Sequence, residues 1–177
     1  MNIFYLDKDP QTCAEMHNDK HVVKMILEVG QLLSTAHRVI DGEQYIDASS
    51  GRKIKRWKLN DSRENILYKA THVNHPSNIW ARETEANYNW LYKLFMHLCL
   101  EYTHRYGKTH MTQVKLAIDL SRPPINIKKA GMTAMPQAMP DYCKVEGDSV
   151  AAYRKYYINE KASFNVYTNR EKPEWLK

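Results

Sequence analysis

The stretch HNDKHVVKMILEVGQLLST, residues 17–35, decides how the chain reads. Wound at about 100° per residue, it places His17, Lys20, His21, Lys24, Glu28, Gln31 and Thr35 within an arc of about 100°. Val22, Met25, Ile26, Val29, Leu32 and Leu33 take the opposite side, and Val23 and Leu27 extend the apolar surface past it. An ordinary surface helix turns a broad polar face to water. A thin polar strip on an apolar cylinder predicts instead a helix buried on most sides, with the strip lining a cleft. The competing reading is a row of solvent-facing residues in which Lys24 and Glu28 form an ordinary i,i+4 pair.

The strip carries two imidazoles, two amines, a carboxylate and an amide. An amine held in a partly dry cleft beside another cation loses its proton more easily, and the freed lone pair is a nucleophile. Lys24 or Lys20 is the expected nucleophile, with His17, His21 and Glu28 moving protons within hydrogen-bond reach. His17 and His21 are four residues apart, a spacing that suits two metal ligands. Two lysines on the same strip repel a cation and no third ligand is specified, so neither a metal nor a cofactor is expected.

Outward from this helix, the 177 residues are enough for one domain with a radius of gyration of roughly 16 Å. The hydrophobic share of 43% supports a single core and excludes a disordered chain. No apolar run approaches the ~18 residues of a membrane span, and MNIFYLDKDP lacks the regions of a secretory signal. Cys13, Cys99 and Cys143 are scattered with no CxxC pair, which fits a reducing cytoplasm better than a disulfide framework. The expected class is mainly α, a compact domain of four to five helices. Asp9-Pro10 opens the first helical region, which runs to about residue 40 with a jog at Asn18-Asp19. Residues 41–73 are expected to insert a short hairpin or basic loop. A long helix over 77–106 closes at Gly107, and another over 109–121 stops at Pro123-Pro124. Residues 122–147 form a Pro/Met-rich loop, too apolar for a free linker, that packs over the helices. A last helix covers 149–161. The absence of GxGxxG and GxxxxGK[ST] argues against a dinucleotide cofactor or NTPase chemistry.

A net charge of +6, with an isoelectric point near 9.1, makes DNA or a nucleotide the leading partner class. Twelve Tyr and four Trp supply rings suited to half-wet surfaces where a flat, polar ligand stacks. Residues 51–58, GRKIKRWK, interleave Arg52, Lys53, Lys55, Arg56 and Lys58 with Trp57. Such a segment tracks a nucleic-acid backbone because the cations displace counterions and an indole stacks on a base. Three acids in residues 41–50 are placed to cover it. Asn74 and His75, at a helix entry, suit a phosphate contact, as does Arg82 on the helix that follows. Trp80 shares a face with Asn87, Leu91, Leu94 and Leu98 and reads as core. Arg154 lies in a second basic-aromatic cluster whose Tyr153, Tyr156 and Tyr157 read as a packing stripe.

The order of these segments resembles the pyrimidine-dimer DNA glycosylase/AP-lyase superfamily, the phage-type endonuclease V and its bacterial cousins. The resemblance rests on Asp19-Lys20-His21-Val22-Val23-Lys24 through Leu33, and on Asn74-His75-Pro76 through Trp80 and Arg82, about a third of the chain. It implies a bacteriophage source and a compact helical domain that binds duplex DNA and flips out a base, at a cost of about a few kcal/mol. It further implies cleavage of the glycosidic bond through an amine–sugar imine with a carboxylate beside the amine. In that family the amine belongs to a small residue exposed when the initiator Met is removed. Here Asn2 is too large for easy removal, and Lys24 stands where the family has its carboxylate, with Glu28 one turn later. Either the chemistry is rearranged around Lys20 or Lys24 with Glu28 and His21, or the glycosylase activity is lost. Two other readings stand beside it. One is a hydrolase or transferase acting on a free nucleotide or nucleotide-derived signal in the same cleft. The other is a non-catalytic binder of DNA or of a host protein.

Overall fold

Asp9 and Asn18 act as the helix starts their side chains favour. In the computed structural model, which describes residues 1–177, Asp9 accepts from the Thr12 N–H at 2.8 Å and opens α1 (Pro10–Glu15). Asn18 accepts from the His21 N–H at 2.9 Å and opens α2 (Asp19–Asp41). The jog between them is the turn at residues 16–18. α2 ends at Gly42, where a Cβ would lie 2.4 Å from the Arg38 carbonyl oxygen. The chain then turns into an antiparallel hairpin, β1 (Glu43–Asp47) and β2 (Ile54–Lys58), with Tyr45 opposite Arg56 and Ile46 opposite Lys55. A one-turn helix α3 (Arg63–Ile66) follows.

The expected single helix over 77–106 is two helices, α4 (Pro76–Ala81) and α5 (Glu85–Tyr106). The break has a local cause. The Thr84 hydroxyl accepts from the Asn87 N–H at 3.1 Å and restarts the helix, while the Asn87 amide donates back to the Trp80 carbonyl at 2.9 Å. The polar Asn87 is fully buried because it also exchanges hydrogen bonds with Thr133 of the 122–147 loop, at 2.9 and 2.8 Å. Gly107 closes α5 in the left-handed conformation, φ +64°. α6 (Met111–Leu116) is shorter than expected and gives way to a 3-10 turn at Asp119–Ser121, and α7 (Ser149–Glu160) closes the helical set.

The chain is thus mainly α, one compact body with a single two-stranded sheet. Its core lies between α2 and α5. Val22, Met25, Ile26, Val29, Leu32 and Leu33 meet Tyr88, Leu91, Leu94, Phe95 and Leu98, all fully buried. α6 approaches α2 closely at Gly30, where a Cβ would stand 3.0 Å from the Thr112 methyl. The N-terminal residues 2–6 are buried without joining a sheet. Asn2 anchors them by donating to the Ala138 carbonyl at 2.8 Å and accepting from the Tyr153 hydroxyl at 2.8 Å. The 122–147 loop packs as expected, with Ile127, Met135 and Cys143 buried. Trp80 is core too, donating its indole N–H to the Thr133 carbonyl at 3.2 Å. No helix is long and apolar enough to cross a membrane.

Candidate functional site at Glu28

The strip read from residues 17–35 does not face one cleft. α2 begins at Asp19, so His17 is off the helix and sits in the turn before it. Its imidazole is fully buried, with Nδ1 2.7 Å from the Cys13 carbonyl oxygen. His21 is buried as well, stacked on the Phe4 ring at 4.2 Å, with Nδ1 2.6 Å from the Tyr157 hydroxyl. Burial pushes His17 down to about 4 and His21 down to about 2, the latter helped by the positive charges of its neighbours. Both rings are neutral parts of an aromatic core. Lys20, by contrast, is exposed and lies over the Phe164 ring at 4.5 Å. The expectation that Lys20, Lys24, His17, His21 and Glu28 work together is corrected by the helix geometry: His21 and Glu28 are about 10 Å apart along the axis.

What remains of the strip gathers at Glu28. The Glu28 side chain is only 13% exposed; its Oε1 lies 3.2 Å from Lys24 Nζ, and its Oε2 lies 4.0 Å from the Met1 amino nitrogen. The same Oε2 accepts from the Asn2 N–H at 3.3 Å. Lys24 itself is 55% exposed, so this carboxylate sits at the boundary between core and water, with an amine on either side.

The residues 70–75 run along α2 beside this cluster. The Thr71 N–H donates to the Thr35 hydroxyl at 3.2 Å, one contact that explains why Thr35 is polar and buried. His72 takes a left-handed conformation, φ +47°, to bend the chain toward α4. His75 caps α4 by accepting the Ser77 N–H on Nδ1 at 3.2 Å, which leaves the proton of the neutral ring on Nε2. Desolvation lowers the pKa of His75, as do the charges of the Met1 amino group and His72, while Glu28 opposes them. His75 therefore belongs to the Glu28 cluster electrostatically. Asn74 is exposed beside it.

The other expected phosphate ligands are engaged elsewhere. Arg82 donates to the Val73 carbonyl at 2.8 Å and to the Asn78 side chain at 3.2 Å, bracing the helix entry. Arg154 donates to the Leu6 carbonyl at 2.9 Å and to Asp7 at 3.1 Å, and lies over Trp175. Arg56 leans on Asp47 at 3.9 Å and the Ala70 carbonyl at 3.4 Å. Trp57 is half-buried, and Arg52, Lys53 and Lys55 are exposed. A hollow of about 450 Å³ lies beside the 122–147 loop, between Tyr5, Lys8, Thr133 and Ser149, and none of its lining residues belongs to the strip.

The sequence singles out Lys24, Glu28 and His75, but it does not show that the Met1 amino group lies against Glu28 or that Thr71 lies against α2. Nothing in their spacing reveals that the first residues thread back against the middle of α2. Comparison with protein families, curated proteins and solved structures finds no match to this chain, and its function is read from its own geometry.

Proposed function

We propose that the protein is a DNA-acting enzyme of glycosylase/lyase type whose nucleophile is an amine beside Glu28. One observation carries this reading: a largely buried carboxylate flanked by two amines, Lys24 Nζ at 3.2 Å and the Met1 amino group at 4.0 Å. A carboxylate in that position takes a proton from the attacking amine and stabilises the cation that follows. The amine lone pair bonds to the sugar C1′, and the bond from C1′ to the base breaks, the base leaving with its electron pair. The resulting aminal opens, its C1′–O4′ bond breaking as O4′ takes a proton, to give an imine that labilises the proton on C2′; Glu28 accepts that proton, and elimination expels the 3′ phosphate with its electron pair. His75, with its proton on Nε2, is a neutral group that can donate to a leaving oxygen or nitrogen. The resemblance to the pyrimidine-dimer glycosylase/AP-lyase superfamily supports the same chemistry, because it too sets an amine against a carboxylate.

The test is borohydride trapping on a duplex with one abasic site. The protein is expected to form a reduced covalent adduct, and Glu28→Gln to lower the trapping rate by about 100-fold or more. Lys24→Ala and a blocked N-terminus separate the two amines, and Lys20→Ala serves as the exposed control. Trapping that survives both Lys variants and the blocked terminus, or that is indifferent to Glu28→Gln, overturns the reading.

A further inference from the structure

The hairpin standing off the end of α2 takes no part in the Glu28 cluster, yet its charges are sorted. Residues two apart on a strand share a face, and directly opposed residues share it too. One face thus carries Glu43, Tyr45 and Asp47 with Ile54, Arg56 and Lys58, and its charges balance. The other carries Gln44 and Ile46 with Lys55 and Trp57, and no acid. Ile46 is 53% exposed, and Arg52 and Lys53 are exposed at the turn.

The three acids that threatened to cover this segment are occupied. Asp41 accepts from Arg63 at 2.7 Å and from the N–H groups of Ile125 and Asn126 at 2.9 and 3.0 Å. Asp47 accepts from the Ser49 N–H and hydroxyl at 2.9 and 2.6 Å, and Glu43 from the Asn60 amide at 3.3 Å. Arg52, Lys53 and Lys55 are left without an ion-pair partner.

We propose that this hairpin grips duplex DNA, its acid-free face entering the major groove, and that residues 69–75 continue its positive track to Glu28. In making DNA the partner of that same site, the proposal rests on the reading above. A two-stranded ribbon fits the B-form major groove, which is about 12 Å wide, whereas the A-form groove of duplex RNA is too deep and narrow. Charge complementarity selects the phosphate-lined duplex over an apolar partner. Along this track Arg56 reaches the Ala70 carbonyl, Thr71 donates to Thr35 of α2, Lys69 and His72 are exposed, and the charges of the Met1 amino group and Glu28 act on His75. Glu28 lies about 20 Å along α2 from the base of the hairpin, at about 1.5 Å per residue. At about 3.4 Å per base pair, the grip falls about six base pairs or more from the reacting nucleotide.

The experiment is a salt-dependent titration of the full chain with a labelled duplex of about 30 base pairs, comparing the protein with its Arg52→Glu/Lys53→Glu/Lys55→Glu variant. The exposed substitutions should leave the melting temperature unchanged, weaken binding by about tenfold or more, and flatten the log–log salt slope by about 2 to 3. Unchanged affinity and slope overturn the proposal, as does equal preference for single-stranded DNA or duplex RNA. If trapping fails but the hairpin variant still loses binding, the grip stands and the enzymatic reading falls. A photocrosslinker at Ile46 should label DNA about six base pairs or more from the label left by one at Asn74, the exposed residue next to His75. Labels within about two base pairs of each other refute the track.

Discussion

Lowering the pH should unfold this protein well above the range where carboxylates titrate, because three imidazoles are folded in their neutral form. His17 and His37 are pushed by burial down to about 4, and His21 to about 2, from an ordinary value of 6.5. His37 is held by the Tyr88 hydroxyl at 2.8 Å and by Arg63, which donates to its Nδ1 at 2.8 Å, so a proton there meets a guanidinium. The sign follows from linkage. Between pH 6.5 and 4 the unfolded chain binds protons that the folded one refuses, so stability is full above 6.5 and falls as the pH drops. At pH 5 each ring contributes a loss of about 2 kcal/mol, and the three together about 6 kcal/mol, against a typical total of about 5–15. Chemical denaturation followed by circular dichroism at pH 7, 6, 5.5 and 5 measures this. The stability should fall by about 4 kcal/mol per pH unit below 6, as three protons require. A stability flat to within about 1 kcal/mol between pH 7 and 5 would refute the reasoning.

Other perturbations follow from single contacts. Arg105 has a fully buried side chain that donates to Glu101 at 2.8 Å and Asp19 at 2.9 Å, so Arg105→Met should cost about 3 kcal/mol, read as a melting temperature lower by about 6–12 °C. The loss stays at the lower end because Arg170 still reaches Glu101 at 2.7 Å and Thr168 still donates to Asp19. Gly42→Ala puts a methyl 2.4 Å from the Arg38 carbonyl and should destabilise by about 1–3 kcal/mol, measurable in the same denaturation assay.

Arg38 explains why the hairpin is fixed in direction. Its guanidinium, 3% exposed as a side chain, donates to the carbonyls of Trp57, Tyr68 and Leu67 and to Glu64. One cation near the end of α2 therefore holds β2, α3 and residues 67–68 together.

Local chemistry made much of the architecture legible in the chain itself. Asp9-Pro10, Asn18, Gly107 and Pro76 mark helix ends because capping and proline geometry act over three or four residues. The apolar side of residues 22–33 reads as core because helical period alone sets it. Thr84 was a readable cap as well, but a continuous apolar face on either side of it masked the break between α4 and α5. The polar strip is where periodicity fell short. An angular position says which way a residue points and not what lies there. The aromatic floor of Phe4 and Tyr157 turned His17 and His21 into core, and the returning N-terminus set a second amine against Glu28. Residues far apart in the chain made those choices, since burial and pairing depend on partners that no local spacing encodes.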